Sequence, residues 1–137
     1  MPTIKKPKTP KPVTQPQISE SVRQELASKP ITESQVVVHC EYTAQIFDDQ
    51  IRIWRSTHLL DNDSSHCSDL VASENITLYP QWMPVKAMET VRFTLIFTGL
   101  PKSCKSFDLI EFIPESGGFE CLNIRRNKTD VYFLVIG

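Results

Sequence analysis

A cysteine set between two lysines is the first place in this 137-residue chain where chemistry could occur. In "TLIFTGLPKSCKSFDLIEFIP", residues 94–114, Cys104 lies between Lys102 and Lys105. Nearby ammonium groups favour a thiolate and lower its pKa, so Cys104 is the reactive-thiol candidate. A thiol enzyme also needs a base or a second thiol. The histidines His39, His58 and His66 all lie in the first half of the chain, and no C-x-x-C pair occurs. The stretch therefore reads as a turn: Gly99, Leu100 and Pro101 end one strand, and "PKSCKS" leads into the next. On that reading Cys104 is accessible and dispensable, and Cys104→Ser costs no more than about 0.5 kcal/mol.

A second group has the donor types of a metal site. His39-Cys40, His58, Asp61, Asp63 and His66-Cys67 fall within one short region. Imidazole, thiolate and carboxylate are the donors zinc takes, but the spacing follows no zinc pattern. In an alternating strand His39 and Cys40 face opposite sides, so one ion cannot use both. "DNDSSHCSD" opens like an EF-hand loop with Asp61, Asp63 and Ser65, then places His66 where the loop needs glycine and Ala72 where it needs glutamate. Asp108 and Glu111 project to opposite faces of a strand and Glu115 sits in the "PESGG" turn, so they form no acid–base pair. The expectation is no metal, no cofactor and no catalytic residue. The rival is a thiol- or metal-dependent enzyme using Cys104 or the group His39, His58, His66 and Cys67.

The elements that must position these residues change character along the chain. Residues 1–17 carry Lys5, Lys6, Lys8 and Lys11, no acid and five prolines, so they read as an extended, disordered arm. The remaining residues hold 11 basic and 16 acidic groups, a net of −5. Four lysines without arginine or aromatic interleaving favour a solvated tether over a nucleic-acid or lipid contact. Residues 18–34 read as a short helix or linker, with Ile18, Val22 and Leu26 on one stripe.

From Val36 the period becomes two. Val36, Val38, Cys40, Tyr42, Ala44 and Ile46 share one face, and Asp48-Asp49 turns the chain into "QIRIWRSTHLL" as a hairpin. Val91, Phe93, Leu95 and Phe97 share the face of another strand, and "SFDLIEFI", "FECLNIRR" and "DVYFLVI" follow. Seven or eight short strands, with no long helical pattern among them, imply an all-β fold: an antiparallel β-sandwich over residues 35–137. No apolar run reaches the roughly 18 residues of a membrane span. No apolar segment follows the N-terminal lysines either, so the expected compartment is the cytoplasm, with four reduced thiols and the sequons at Asn75 and Asn127 unused.

The segment from about Ile51 to Tyr132 resembles a family of small, uncharacterised bacterial β-sandwich proteins, through "IRIWRSTHLL", "ENITLYPQW", "RFTLIFTGLPKSCKSFDLIE" and "GGF". "LIFTGLP...FDLIE" is also similar to immunoglobulin-like accessory domains of bacterial proteins. The resemblance implies an immunoglobulin-like sandwich and brings no catalytic residue; such domains are often extracytoplasmic. Cys40 and Trp54 have about the immunoglobulin spacing, but Phe119 before Cys121 lacks the hydroxyl of the tyrosine corner. The leading expectation is a non-enzymatic interaction module for a protein partner. Trp82 in "LYPQWMPV" either joins the core or forms an exposed contact patch with Arg52 and Arg55. Limited proteolysis of the full chain should remove about the first 17 to 30 residues and leave the rest intact.

Overall fold

The computed structural model describes residues 34–136. The arm expected over 1–17 and the stripe of Ile18, Val22 and Leu26 lie outside the described residues. Nine strands and no helix are found among the described residues, and none of these residues forms a helix long and apolar enough to cross a membrane.

β1 (Val36–Thr43) sits between two partners. β6 (Thr90–Phe97) pairs it antiparallel, Val38 opposite Leu95 and Cys40 opposite Phe93. β9 (Val131–Ile136) pairs its other edge in parallel, Val38 opposite Tyr132. The period-two pattern holds, with Val36, Val38, Cys40, Phe93, Leu95 and Phe97 all buried. It stops at Ala44, and Ile46, expected on the same face, is 72% exposed.

The expected hairpin between β1 and the next run does not form, because both edges of β1 are taken. β2 (Asp49–Ile51) instead pairs β5 (Met83–Val85) in a separate two-stranded ribbon, Ile51 opposite Met83. The run "QIRIWRSTHLL", read as one strand, divides into β2 and a later strand, and β5 is too short for an alternation to reveal it, which is why nine strands stand where seven or eight were expected.

β3 (Thr57–Asp61), β4 (Cys67–Glu74), β7 (Ser106–Glu111) and β8 (Glu120–Arg125) complete a seven-stranded sheet of order β8-β7-β3-β4-β6-β1-β9. The sheet is mixed, so the wholly antiparallel expectation is corrected at the β1–β9 pair. β4 turns the corner: Cys67–Asp69 pair β3, Leu70–Glu74 pair β6, and the register slips between Leu70 and Ala72. Such a slip bends a strand and strengthens its twist. The sheet curls until it is nearly closed like a barrel, with no ladder between its end strands β8 and β9. Phe107 of β7 packs edge-on against Tyr132 of β9 at 5.0 Å between centroids.

A polar buckle holds that closure. In the turn from β8 to β9, Arg126 donates from Nε and Nη2 to the Asp130 carboxylate at 2.6 and 2.9 Å, and from Nη1 to the Pro101 carbonyl at 2.7 Å. Tyr132 donates its hydroxyl proton to Asp130 at 2.9 Å. Phe93→Ala or Phe97→Ala should each cost about 3–5 kcal/mol through lost transfer energy and a cavity. Asp130→Ala, which strands a largely buried guanidinium, should cost about 3 kcal/mol. Urea unfolding midpoints beside the parent measure all three, and near-parental values would contradict the packing described.

Candidate functional site

Ile51 and Ile53 are buried, so the alternation turns Arg52 and Trp54 to the other side of the strand. Two pairings then bring aromatic rings to them. Ile53 bridges Leu78 in parallel, with Ile53 N–H donating to the Thr77 carbonyl at 2.9 Å and Tyr79 N–H to the Ile53 carbonyl at 2.8 Å. Tyr79 thereby stacks on Trp54, centroids 3.7 Å apart and planes at 28°. The β2–β5 ribbon carries Trp82, just before Met83, to the Arg52 guanidinium.

Arg52 is the centre of the group. Its guanidinium carbon lies 3.7 Å from the Trp82 centroid, 4.6 Å from Tyr79 and 5.8 Å from Trp54. It donates to the Pro80 carbonyl at 3.0 Å and to Glu115 Oε1 at 3.2 Å, while its buried Nε has no partner. The Arg52 side chain is 11% exposed, whereas Trp82 and Tyr79 keep 45% and 48% of their surface in solvent. Trp82 is therefore a surface residue that both covers an arginine and presents a face. Arg55, expected with it, is exposed in the following turn and outside the cleft lining.

Arg52, Trp54 and Trp82 form one wall of a cavity of about 420 Å³. Asp49, Glu111, Glu115 and Glu120 also line it, four carboxylates against one guanidinium. Burial pushes Glu111 up, opposed by hydrogen bonds from Phe119 N–H to Oε1 at 3.0 Å and Trp54 N–H to Oε2 at 2.9 Å, and by Arg52. Both oxygens of Glu111 are thus engaged in tying β7 to the Trp54 segment. Gly118 stands beside it because a Cβ there would meet the Glu111 carbonyl at 2.7 Å. Asp49 accepts a hydrogen bond from the Tyr42 hydroxyl, which raises Tyr42 to about 12. The aromatic faces and carboxylates suit binding.

The other sequence candidates are dispersed. Cys104 is 3% exposed, not accessible, with Sγ donating to the Ser106 carbonyl at 3.3 Å. Burial, then the Asp61 carboxylate, raises its thiol from 9.0 to about 11, so Lys102 and Lys105 do not make it a thiolate. The loop is a turn, as expected, but it folds its thiol inward, and Cys104→Ser now carries a cost of about 1–2 kcal/mol for a buried hydroxyl. His39 stacks on Phe133 and shares a 2.8 Å hydrogen bond with Thr94 Oγ1. His66 Nε2 reaches Ser68 Oγ at 2.9 Å and the Gly99 carbonyl at 3.1 Å. Asp61 caps its own turn, accepting from Asp63 N–H and Ser64 Oγ; burial would raise it, but these bonds hold it below the ordinary range. Of the four suspected metal donors only His58 and Cys67 come together, and Asp69 joins them.

The sequence reading missed Tyr79, Asp49 and Glu120, and it set Glu111 and Glu115 apart although both line the cavity. An aromatic pair around Pro80, "YPQW", was the available signal, but its meeting with Arg52 depends on strand pairing. In native-state alkylation Cys67 should react first, with Cys40 and Cys104 protected until unfolding. Because the folded Cys104 pKa lies above its ordinary 9.0, its contribution to stability is complete below pH 9 and is lost as pH rises through about 11. Cys104→Ser should therefore lose less stability than the parent between those pH values, as read from urea midpoints at each. No family model, no curated protein and no solved structure matches this chain.

Proposed function

We propose that the protein is a non-enzymatic interaction module and that the cleft around Arg52 and Trp82 is where it takes a segment of a partner protein. One observation carries this reading: Arg52 is held over the Trp82 ring at 3.7 Å while Trp82 and Tyr79 remain half exposed. Tryptophan, tyrosine and arginine are the residues that dominate binding energy at interfaces, and rigid ones lose little entropy on docking. The excess of carboxylates in the lining favours a segment bearing a lysine or arginine. We read the architecture as an immunoglobulin-like sandwich of the bacterial accessory kind, with β4 serving both sheets; the likeness of "RFTLIFTGLPKSCKSFDLIE" to such domains supports this. A thiol enzyme finds little support, since Cys104 is buried and protonated at neutral pH.

Peptides selected by display on the full chain test the reading. Trp82→Ala should weaken the selected peptides by about 30-fold, as expected for an interface hot spot, while the stability read from the urea midpoint falls by no more than the about 0.5–2 kcal/mol of the lost stack on Arg52. Peptides that bind the variant as well as the parent would place the binding surface elsewhere.

A further inference from the structure

The outer face of the β3–β4 hairpin gathers three different donor atoms. His58 lies directly across from Asp69, and Leu60 across from Cys67, so His58, Cys67 and Asp69 share one face of the pair. A nitrogen, a sulfur and an oxygen of these three residues all lie within 4.8 Å of one another. His58 Nδ1 stands 3.3 Å from Asp69 Oδ1. Bonds of about 2.0–2.1 Å to a tetrahedral ion separate neighbouring nitrogen and oxygen donors by about 3.3 Å, so the observed spacing is already that of two ligands.

We propose that His58, Cys67 and Asp69 form a zinc site that leaves a fourth position open to solvent. The donor set selects the ion. Calcium and magnesium take oxygen ligands almost exclusively, whereas imidazole with thiolate suits zinc among the available divalent metals. The scaffold is firm: Asp69 is pinned on its far edge by Thr98, whose N–H donates to the Asp69 carbonyl at 2.9 Å and whose Oγ1 accepts from Asp69 N–H at 3.0 Å. Cys67 is free and exposed, so the ion needs no opening of the fold to reach it. A thiolate and a carboxylate side by side repel, and a dication converts that repulsion into attraction. Binding replaces the Cys67 S–H bond with a sulfur–zinc bond and releases one proton to solvent. With three protein ligands and an open place, the site resembles catalytic rather than closed structural zinc in its coordination, and the fourth ligand is water or a donor from a docked molecule. The site lies outside the Arg52 cleft and stands independently of the function proposed for it.

The experiment uses the full chain, reduced and freed of metal with a chelator. Cobalt is titrated in and followed by absorption, zinc is used as competitor, and the alkylation rate of the Cys67 peptide is read by mass spectrometry with and without zinc. The expected results are a thiolate-to-cobalt charge-transfer band saturating at a single equivalent, and zinc slowing Cys67 alkylation by at least about tenfold. Cys67→Ser should abolish the band, and Asp69→Asn should weaken binding at least about tenfold. Both side chains lie on an exposed face of the sheet, so urea midpoints of the metal-free variants should remain parental; His58→Gln is a third arm if either loses stability. Zinc that leaves Cys67 alkylation unchanged, cobalt bound without the band, or equal affinity in a Cys67→Ser, Asp69→Asn double variant would overturn the proposal.

Discussion

The bend within β4 is the constraint on which the remaining structure depends. β4 pairs β3 along Cys67–Asp69 and β6 along Leu70–Glu74, and a slip in its ladder with β6 between Leu70 and Ala72 bends it from one partner to the other. The sequence "CSDLVASE" suits the task because it is short of large apolar side chains that would commit it to one face. Ser68 is fully buried there, and its hydroxyl donates to the Gly99 carbonyl at 3.0 Å. A buried polar group at the corner is tolerated because it is paired. The curl then brings Phe107 to Tyr132 and leaves β8 and β9 as the two ends of one sheet.

Closure is completed by charge as well as by packing. Asp130 is buried, yet it receives two bonds from Arg126 and one from Tyr132, so its desolvation is offset by a filled set of donors. Arg126 also reaches the Pro101 and Cys104 carbonyls, fastening the loop that holds Cys104 to the turn between β8 and β9. The thiol that looked reactive beside two lysines is thereby enclosed by the same buckle that closes the sheet.

The cleft follows from the small ribbon outside that sheet. A guanidinium stacked on an indole gains about 0.5–2 kcal/mol, more as it is desolvated. Arg52 has that geometry and an exposed ion-pair partner in Glu115, whose own contribution is small at the surface. Its unpaired Nε is a cost that the stack must offset. The result is an aromatic edge over an acidic cavity, formed by residues that come from β2 and the segment after it, from Trp82, and from β7, β8 and the loop between them.

Much of the core was legible in the sequence, because the alternation of side chains along a strand is a local property. Val36, Val38 and Cys40, then Phe93, Leu95 and Phe97, then Phe107 and Leu109, are buried where a period of two places them. The all-β class and the turn at Gly99 to Pro101 come from the same local rules. The tertiary structure alone decided which strands are neighbours, since pairing register is a property of two segments and of the chain that joins them. It set β9 parallel to β1, sent β2 to β5, turned Cys104 inward, stacked Arg52 on Trp82, and exchanged His39 and His66 for Asp69 beside His58 and Cys67. Apart from the hairpin that holds His58, Cys67 and Asp69, these join residues distant in sequence, and distance along the chain says nothing about distance in space until strand register is set.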